Sequence, residues 1–136
     1  MRTIFKLTAL LFISYTLSSC AQKMTFANSP VVPGASGKVK VKKDNNDNYI
    51  ISVNVLNLAP AKDLTPPRDG YVVWMEIESN ATKNIGQINP TSGMFSKAVK
   101  GSLKATSTTK PKRIFITAED NGNVQYPGSQ RVLGTN

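Results

Sequence analysis

The sequence predicts an all-β protein: an immunoglobulin-like antiparallel β-sandwich of about seven strands over residues 37–136, following a cleaved signal peptide. Three observations carry this expectation. Apolar and polar residues alternate in short runs. Clusters of Gly, Pro, Asn and Asp interrupt those runs about every eight to twelve residues. No segment sustains an apolar period of 3.6, so no amphipathic helix is expected.

Residues 20–36 read as a tether, because Pro30, Pro33 and Gly34 break any regular element, with Val31-Val32 a candidate short first strand. Lys38, Lys40 and Lys42 then alternate with Val39 and Val41, which predicts a half-buried strand whose lysines guard its outer face against edge pairing. Asp44–Asn48 is a polar turn, and Tyr49–Leu58 returns as the second arm of a hairpin with Tyr49, Ile51, Val53 and Val55 on one face. Ala59–Gly70 is a loop, since Pro60, Pro66 and Pro67 cannot donate to a ladder. Tyr71–Glu78 is the strongest strand, with Tyr71, Val73, Met75 and Ile77 sharing a face. Lys83–Ile88 is a short strand, and Asn89–Gly93 is a turn. Phe95–Leu103 is a strand of poor alternation, in which a helical turn is the competing reading. A polar loop, Thr106–Pro111, precedes a clear strand at Arg113–Glu119. Asp120-Asn121-Gly122 and Tyr126-Pro127-Gly128 are turns, and Arg131–Leu133 is a last short strand.

Composition excludes several chemistries. There is no histidine and a single cysteine, Cys20, so Ser–His and Cys–His nucleophilic systems and Cys/His zinc sites cannot be assembled. The remaining catalytic option is a carboxylate pair. Glu76 and Glu78 fall on one strand face about 7 Å apart, and a solvated outer face explains them better than a glycosidase site. Asp44-x-Asn46-x-Asn48 resembles the start of a calcium loop, but Tyr49 stands where the glycine belongs and the distal glutamate is missing. A hairpin turn is the simpler reading. The chain is therefore read as non-catalytic, with no cofactor and no metal.

Two features remain as candidate ligand contacts. By alternation Trp74 shares a face with Val72, Glu76 and Glu78, away from Tyr71, Val73, Met75 and Ile77. An exposed ring there could stack on a sugar or anchor a partner. Alternatively, the Pro60–Pro67 loop covers it or it packs inward, as a tryptophan on an inner sandwich strand usually does. Lys97, Lys100 and Lys104, with Lys110, Lys112 and Arg113, form a second basic cluster after the Lys38–Lys42 run. The chain carries a formal charge of +9 at pH 7. Outside the cytoplasm such a balance favours anionic lipid headgroups, lipopolysaccharide phosphate or acidic polysaccharide rather than nucleic acid, while a solvated basic face with no partner is the simpler reading.

The address comes from the first twenty residues. Arg2 and Lys6 precede a mainly apolar run, Leu7–Leu17, followed by Ser18-Ser19-Cys20. That is the order of a secretory signal, and the run is shorter than the roughly 20 residues a spanning helix needs. Leu17-Ser18-Ser19-Cys20 resembles the lipobox of bacterial lipoproteins. The resemblance implies cleavage before Cys20 and acylation of its thiol and new amine. Ala21, rather than Asp, follows the cysteine, which in that family is consistent with the outer membrane, here facing the periplasm. Acylation also accounts for a lone cysteine on an exported domain.

From Tyr71 onward the chain resembles the extracytoplasmic domain of anti-sigma-K-type regulators. The matching residues are Tyr71-Val72-Val73-Trp74, Lys83-Asn84-Ile85-Gly86, Ile116-Thr117-Ala118-Glu119, Tyr126-Pro127-Gly128-Ser129-Gln130 and Val132-Leu133-Gly134. This resemblance implies a β-sandwich with an extracytoplasmic binding or sensing role. It does not imply sigma-factor binding, because the family's cytoplasmic domain and transmembrane helix have no counterpart here. Two functions follow as expectations. The first is a non-catalytic, lipid-anchored binding or structural module of the cell envelope. The alternative is a sensory or regulatory subunit working through a separate membrane-spanning partner.

Overall fold

The structure, a computed structural model, describes residues 20–92 and 99–136. The fold is all-β, and among the described residues nine strands follow in order: β1 (Gln22–Thr25), β2 (Ser36–Lys43), β3 (Tyr49–Leu56), β4 (Gly70–Glu76), β5 (Thr82–Ile88), β6 (Thr91–Ser92), β7 (Val99–Ser107), β8 (Arg113–Glu119) and β9 (Arg131–Gly134). They form two antiparallel sheets, ordered β1-β2-β3-β7-β6 and β5-β4-β8-β9. Taking β2, β3, β7 and β6 as A-B-E-D and β4, β8 and β9 as C-F-G reproduces the immunoglobulin connectivity, with β5 as the additional strand beside C.

The core lies between the sheets and follows the alternation in the sequence. Val39, Val41, Ile51, Val53 and Val55 meet Tyr71, Val73, Met75, Ile114, Ile116 and Leu133, all buried. The prolyl loop closes one end of this core. Leu58, Ala61 and Leu64 are buried within it, Ala61–Asp63 forms one 3₁₀ turn, and the Tyr71 hydroxyl donates to the Ala59 carbonyl. There burial, reinforced by the nearby Asp63 charge, pushes the Tyr71 phenol up to about 12.

Two close approaches fix the packing of β7. Gly101 faces inward, and a Cβ at that position would collide with Ile88 and lie 3.1 Å from Val55. Gly86 has φ +142° beside the irregularity in the β4–β5 register, and its missing Cβ leaves room for Leu103.

The N-terminal segment departs from the expectation. Residues 20–36 are not a free tether. Gln22–Thr25 pairs with β2, placing Lys23 opposite Lys40 and Thr25 opposite Lys38. Phe26 then bridges to Thr135, and the Ala27 N–H donates to the Gly134 carbonyl. The first strand thus leaves the edge of one sheet and joins the edge of the other. Buried Phe26, Val32 and Ala35 hold the segment down. Val31-Val32 lies in a bend rather than a strand, where the Ser29 hydroxyl accepts from both backbone N–H groups. The two short strands β1 and β6 raise the count above the expected seven.

Other boundaries moved as well. β4 ends at Glu76, where Ile77 and Ala81 close a turn, so Glu76 and Glu78 do not share a strand face. β7 runs through Ser107, into the stretch expected to be loop. Its predicted beginning, Phe95–Ala98, falls outside the described residues. Asp44–Asn48 is the hairpin turn. The Asp44 carboxylate accepts from the backbone N–H groups of Asn46 and Asn48 and from the Asn48 side-chain amide. The backbone bond from Asn48 is the main reason its pKa falls below the ordinary value.

Candidate binding face

The two outer faces of the sandwich differ sharply. That of the β5-β4-β8-β9 sheet is already covered. Val72, Trp74 and Phe115 form a small second core there, with Val124 packed on it. The segment between β8 and β9, residues 120–130, makes the cover. Asn84 donates its side-chain amide to the carbonyls of Gly122 and Val124, and the Gly128 N–H donates to Glu119 Oε1. Trp74 Nε1 donates to Thr117 Oγ1 at 2.7 Å, and the Thr117 hydroxyl donates on to Glu119 Oε1 at 2.6 Å. The Arg131 guanidinium lies 4.4 Å from the Phe115 ring centroid, where burial and the Arg113 charge lower its pKa and the Glu76 charge partly opposes them.

Trp74 therefore packs inward, under this cover. It is 0 % exposed and offers no ring face to solvent. Its alternation away from the main core was read correctly, but its cover is the 120–130 segment and not the Pro60–Pro67 loop. That segment carries one apolar anchor, Val124, too little to announce itself in a sequence pattern.

The opposite outer face is open and basic. In strand β2, Lys38, Lys40 and Lys42 point outward while Val39 and Val41 are buried. In β7, Lys100 and Lys104 are exposed and alternate with half-buried Val99, Gly101, Leu103 and Ala105. β1 adds exposed Lys23. Strand register turns these six lysines into rows. Lys23 is opposite Lys40, Lys40 opposite Ser52, and Ser52 opposite Lys104. Lys38 is opposite Asn54, and Asn54 opposite Ser102. Ile50 lies between Lys42 and Thr106, and Leu56 between Ser36 and Lys100.

No strand of this sheet contains a carboxylate. The ion pairs among the described residues involve none of the six lysines: Lys43, at the end of β2, pairs with Asp47, Arg68 with Asp120 at 2.7 Å, and Arg113 with Glu76. Lysines two apart on a strand are about 7 Å apart, and adjacent strands about 4.8 Å. At that spacing, exposed like charges repel by roughly 0.6 kcal/mol per pair in water. The face tolerates this mild repulsion, which a polyanion laid across it would relieve. Shallow grooves of about 400 and 380 Å³ flank Asn54, one lined by Lys23, Lys38 and Lys40 and the other by Leu56, Lys100 and Ser102.

The basic cluster read from sequence proximity is thus divided. Lys100 and Lys104 join Lys38, Lys40 and Lys42 across β3. Lys112 instead donates to Asn80 Oδ1 at 3.1 Å, and Arg113 faces Glu76 on the other sheet. Lys97 falls outside the described residues. Cys20 is exposed and precedes β1 by a single residue. Among the described residues, no helix is long and apolar enough to cross a membrane.

Compared with protein-family models, curated proteins and solved structures, the chain finds no match in any of the three. The residues that carry the anti-sigma-K-type resemblance all fall in one sheet or its cover. Tyr71–Trp74 lies in β4, Lys83–Gly86 in β5, Ile116–Glu119 in β8 and Val132–Gly134 in β9, while Tyr126–Gln130 belongs to the covering segment. In this chain those residues divide: Tyr71, Val73, Ile116, Ala118, Val132 and Leu133 belong to the main core, Val72 and Trp74 to the second core, and Lys83 and Tyr126 are exposed.

Proposed function

We propose that the protein is a non-catalytic, lipid-anchored module of the bacterial cell envelope, held at the outer membrane with its body in the periplasm, whose open sheet face binds an anionic partner. The observation that carries this reading is the position of Cys20, an exposed lone cysteine at the foot of β1 and the last residue of Leu17-Ser18-Ser19-Cys20. Acyl chains contribute about 0.8 kcal/mol per buried CH₂, so two or more make attachment stable. The lysine face supports the binding half of the proposal.

Intact-protein mass spectrometry of the chain recovered from membranes tests the anchor. The expected mass lacks residues 1–19 and gains acyl groups on Cys20, and a Cys20→Ser variant appears without either change. An unprocessed leader with a free thiol would refute the reading. The regulatory alternative draws support from the sandwich fold and the resemblance of its second sheet. It predicts a membrane-spanning partner that co-purifies from detergent-solubilised envelope in fixed proportion to this chain. Recovery of bulk lipoproteins alone would count against it.

A further inference from the structure

We infer that the outer face of the β1-β2-β3-β7 sheet is a membrane-docking surface, with Lys23, Lys38, Lys40, Lys42, Lys100 and Lys104 set against the anionic headgroups of the bilayer that holds Cys20. The inference deepens the proposed function and rests on it for the anchor, though the charge argument stands separately.

Four observations select this occupant. The first is charge: six lysines, and no carboxylate on any strand of the sheet. The second is reach. Cys20 is three residues before Lys23, which spans no more than about 10 Å of extended chain. Because β1 is paired with β2, no slack lets the body swing away from its anchor. The third is apolar content. Half-buried Ile50 and exposed Leu56, the latter 43 % exposed, sit in the same rows as Lys42 and Lys100. Apolar side chains among lysines suit the boundary between headgroups and acyl chains. The fourth is the contrast with the other outer face, which residues 120–130 already occupy.

Anchoring near the face also lowers the affinity it needs. Once acyl chains hold Cys20 in the bilayer, lysine–phosphate contacts form intramolecularly at high effective concentration. The lysines then set orientation: the first sheet lies flat on the membrane and the 120–130 segment points into the periplasm.

The test uses the full chain as cells produce it, reconstituted into vesicles of phosphatidylcholine alone or of phosphatidylcholine with phosphatidylglycerol. Each lysine's amine-acylation rate is read by peptide mass spectrometry. On the anionic vesicles the six face lysines should react about fivefold more slowly than on neutral ones. Exposed Lys62, Lys83 and Lys110 should not change. Salt near 0.5 M should abolish the protection, and a Lys40→Ser/Lys104→Ser variant should lose it at Lys38 and Lys42 while remaining attached. If the chain fails to attach to neutral vesicles yet shows the protection on anionic ones, the anchor falls and the docking face stands. If it attaches and the six lysines react equally on both vesicles, the docking face falls and the anchor stands. Protection by dextran sulfate but not by anionic vesicles overturns the inference in favour of an acidic polysaccharide.

Discussion

Trp74 and Thr117 are joined across β4 and β8 by a 2.7 Å hydrogen bond from the indole Nε1 to the threonine hydroxyl, on the side of the sheet that faces away from the main core. The bond continues to Glu119, whose Oε1 also accepts from the Gly128 N–H, so the three polar groups are partnered beneath the covering residues 120–130. Thr117→Val keeps the shape but strands the indole N–H, while Glu119 Oε1 keeps only the Gly128 N–H. A buried group left without a partner costs about 1–3 kcal/mol. Urea unfolding should show a lower midpoint by that amount. Trp74 is the chain's one tryptophan, so its emission should be blue-shifted and resistant to iodide, and it should redden and become quenchable in the variant if the cover loosens.

Tyr71 should make stability fall at alkaline pH. Its phenol titrates near 10 in the unfolded chain and at about 12 in the folded one, because burial and then Asp63 oppose the phenolate. The folded state therefore holds its proton longer. The contribution is complete below pH 10 and is lost as pH rises from 10 towards 12. In Tyr71→Phe the loss attributable to this group should vanish, while stability at pH 7 falls by about 1 kcal/mol for the missing bond to the Ala59 carbonyl. Parallel unfolding curves for the two proteins from pH 8 to 12 provide the comparison.

Asp44 acts at the other end of the scale. The Asn48 and Asn46 backbone N–H groups and the Asn48 amide favour its charged form, lowering its pKa below 3.8, against a smaller opposing effect of burial. Its contribution is present above the ordinary carboxylate value and is lost as pH falls through the lowered one. Asp44→Asn should therefore show a flatter acid limb than the natural chain. Backbone amide exchange in Asn46 and Asn48, measured across pH 2 to 5, should report the loosening of the turn in the natural protein.

Gly101→Val should destabilise the sandwich by about 1–3 kcal/mol, because an inward side chain there meets Ile88 and Val55 in a filled core. Ser102→Val, one residue on and facing outward, should leave the thermal midpoint nearly unchanged. Equal effects of the two would mean that β7 does not hold the register assigned to it.

These features were unequally legible in the sequence. β2, β3, β4 and β8 announce themselves, because each buries at least one face and β-branched residues mark it. β1 does not: Gln-Lys-Met-Thr has one apolar residue, and its order comes from pairing with β2 and from Phe26 beyond it. The lysine face was visible only in halves. Lys38–Lys42 and Lys100–Lys104 are about 60 residues apart in sequence, and only the non-local β3–β7 pairing makes them neighbours. The burial of Trp74 depended on a polar segment held by side-chain-to-carbonyl bonds, which leave no periodic trace.

The most direct test of the account asks which sheet meets the bilayer. With Cys20 acylated, a new cysteine is a unique attachment point for a polarity-sensitive dye. Ser52→Cys places it at the centre of the lysine face, between Lys40 and Lys104, and Lys83→Cys places it on β5 of the other sheet. On anionic vesicles the dye at position 52 should shift to the blue and escape an aqueous quencher, while that at position 83 stays fully quenchable. Equal quenching at both positions, or protection at 83 alone, would contradict the proposed orientation.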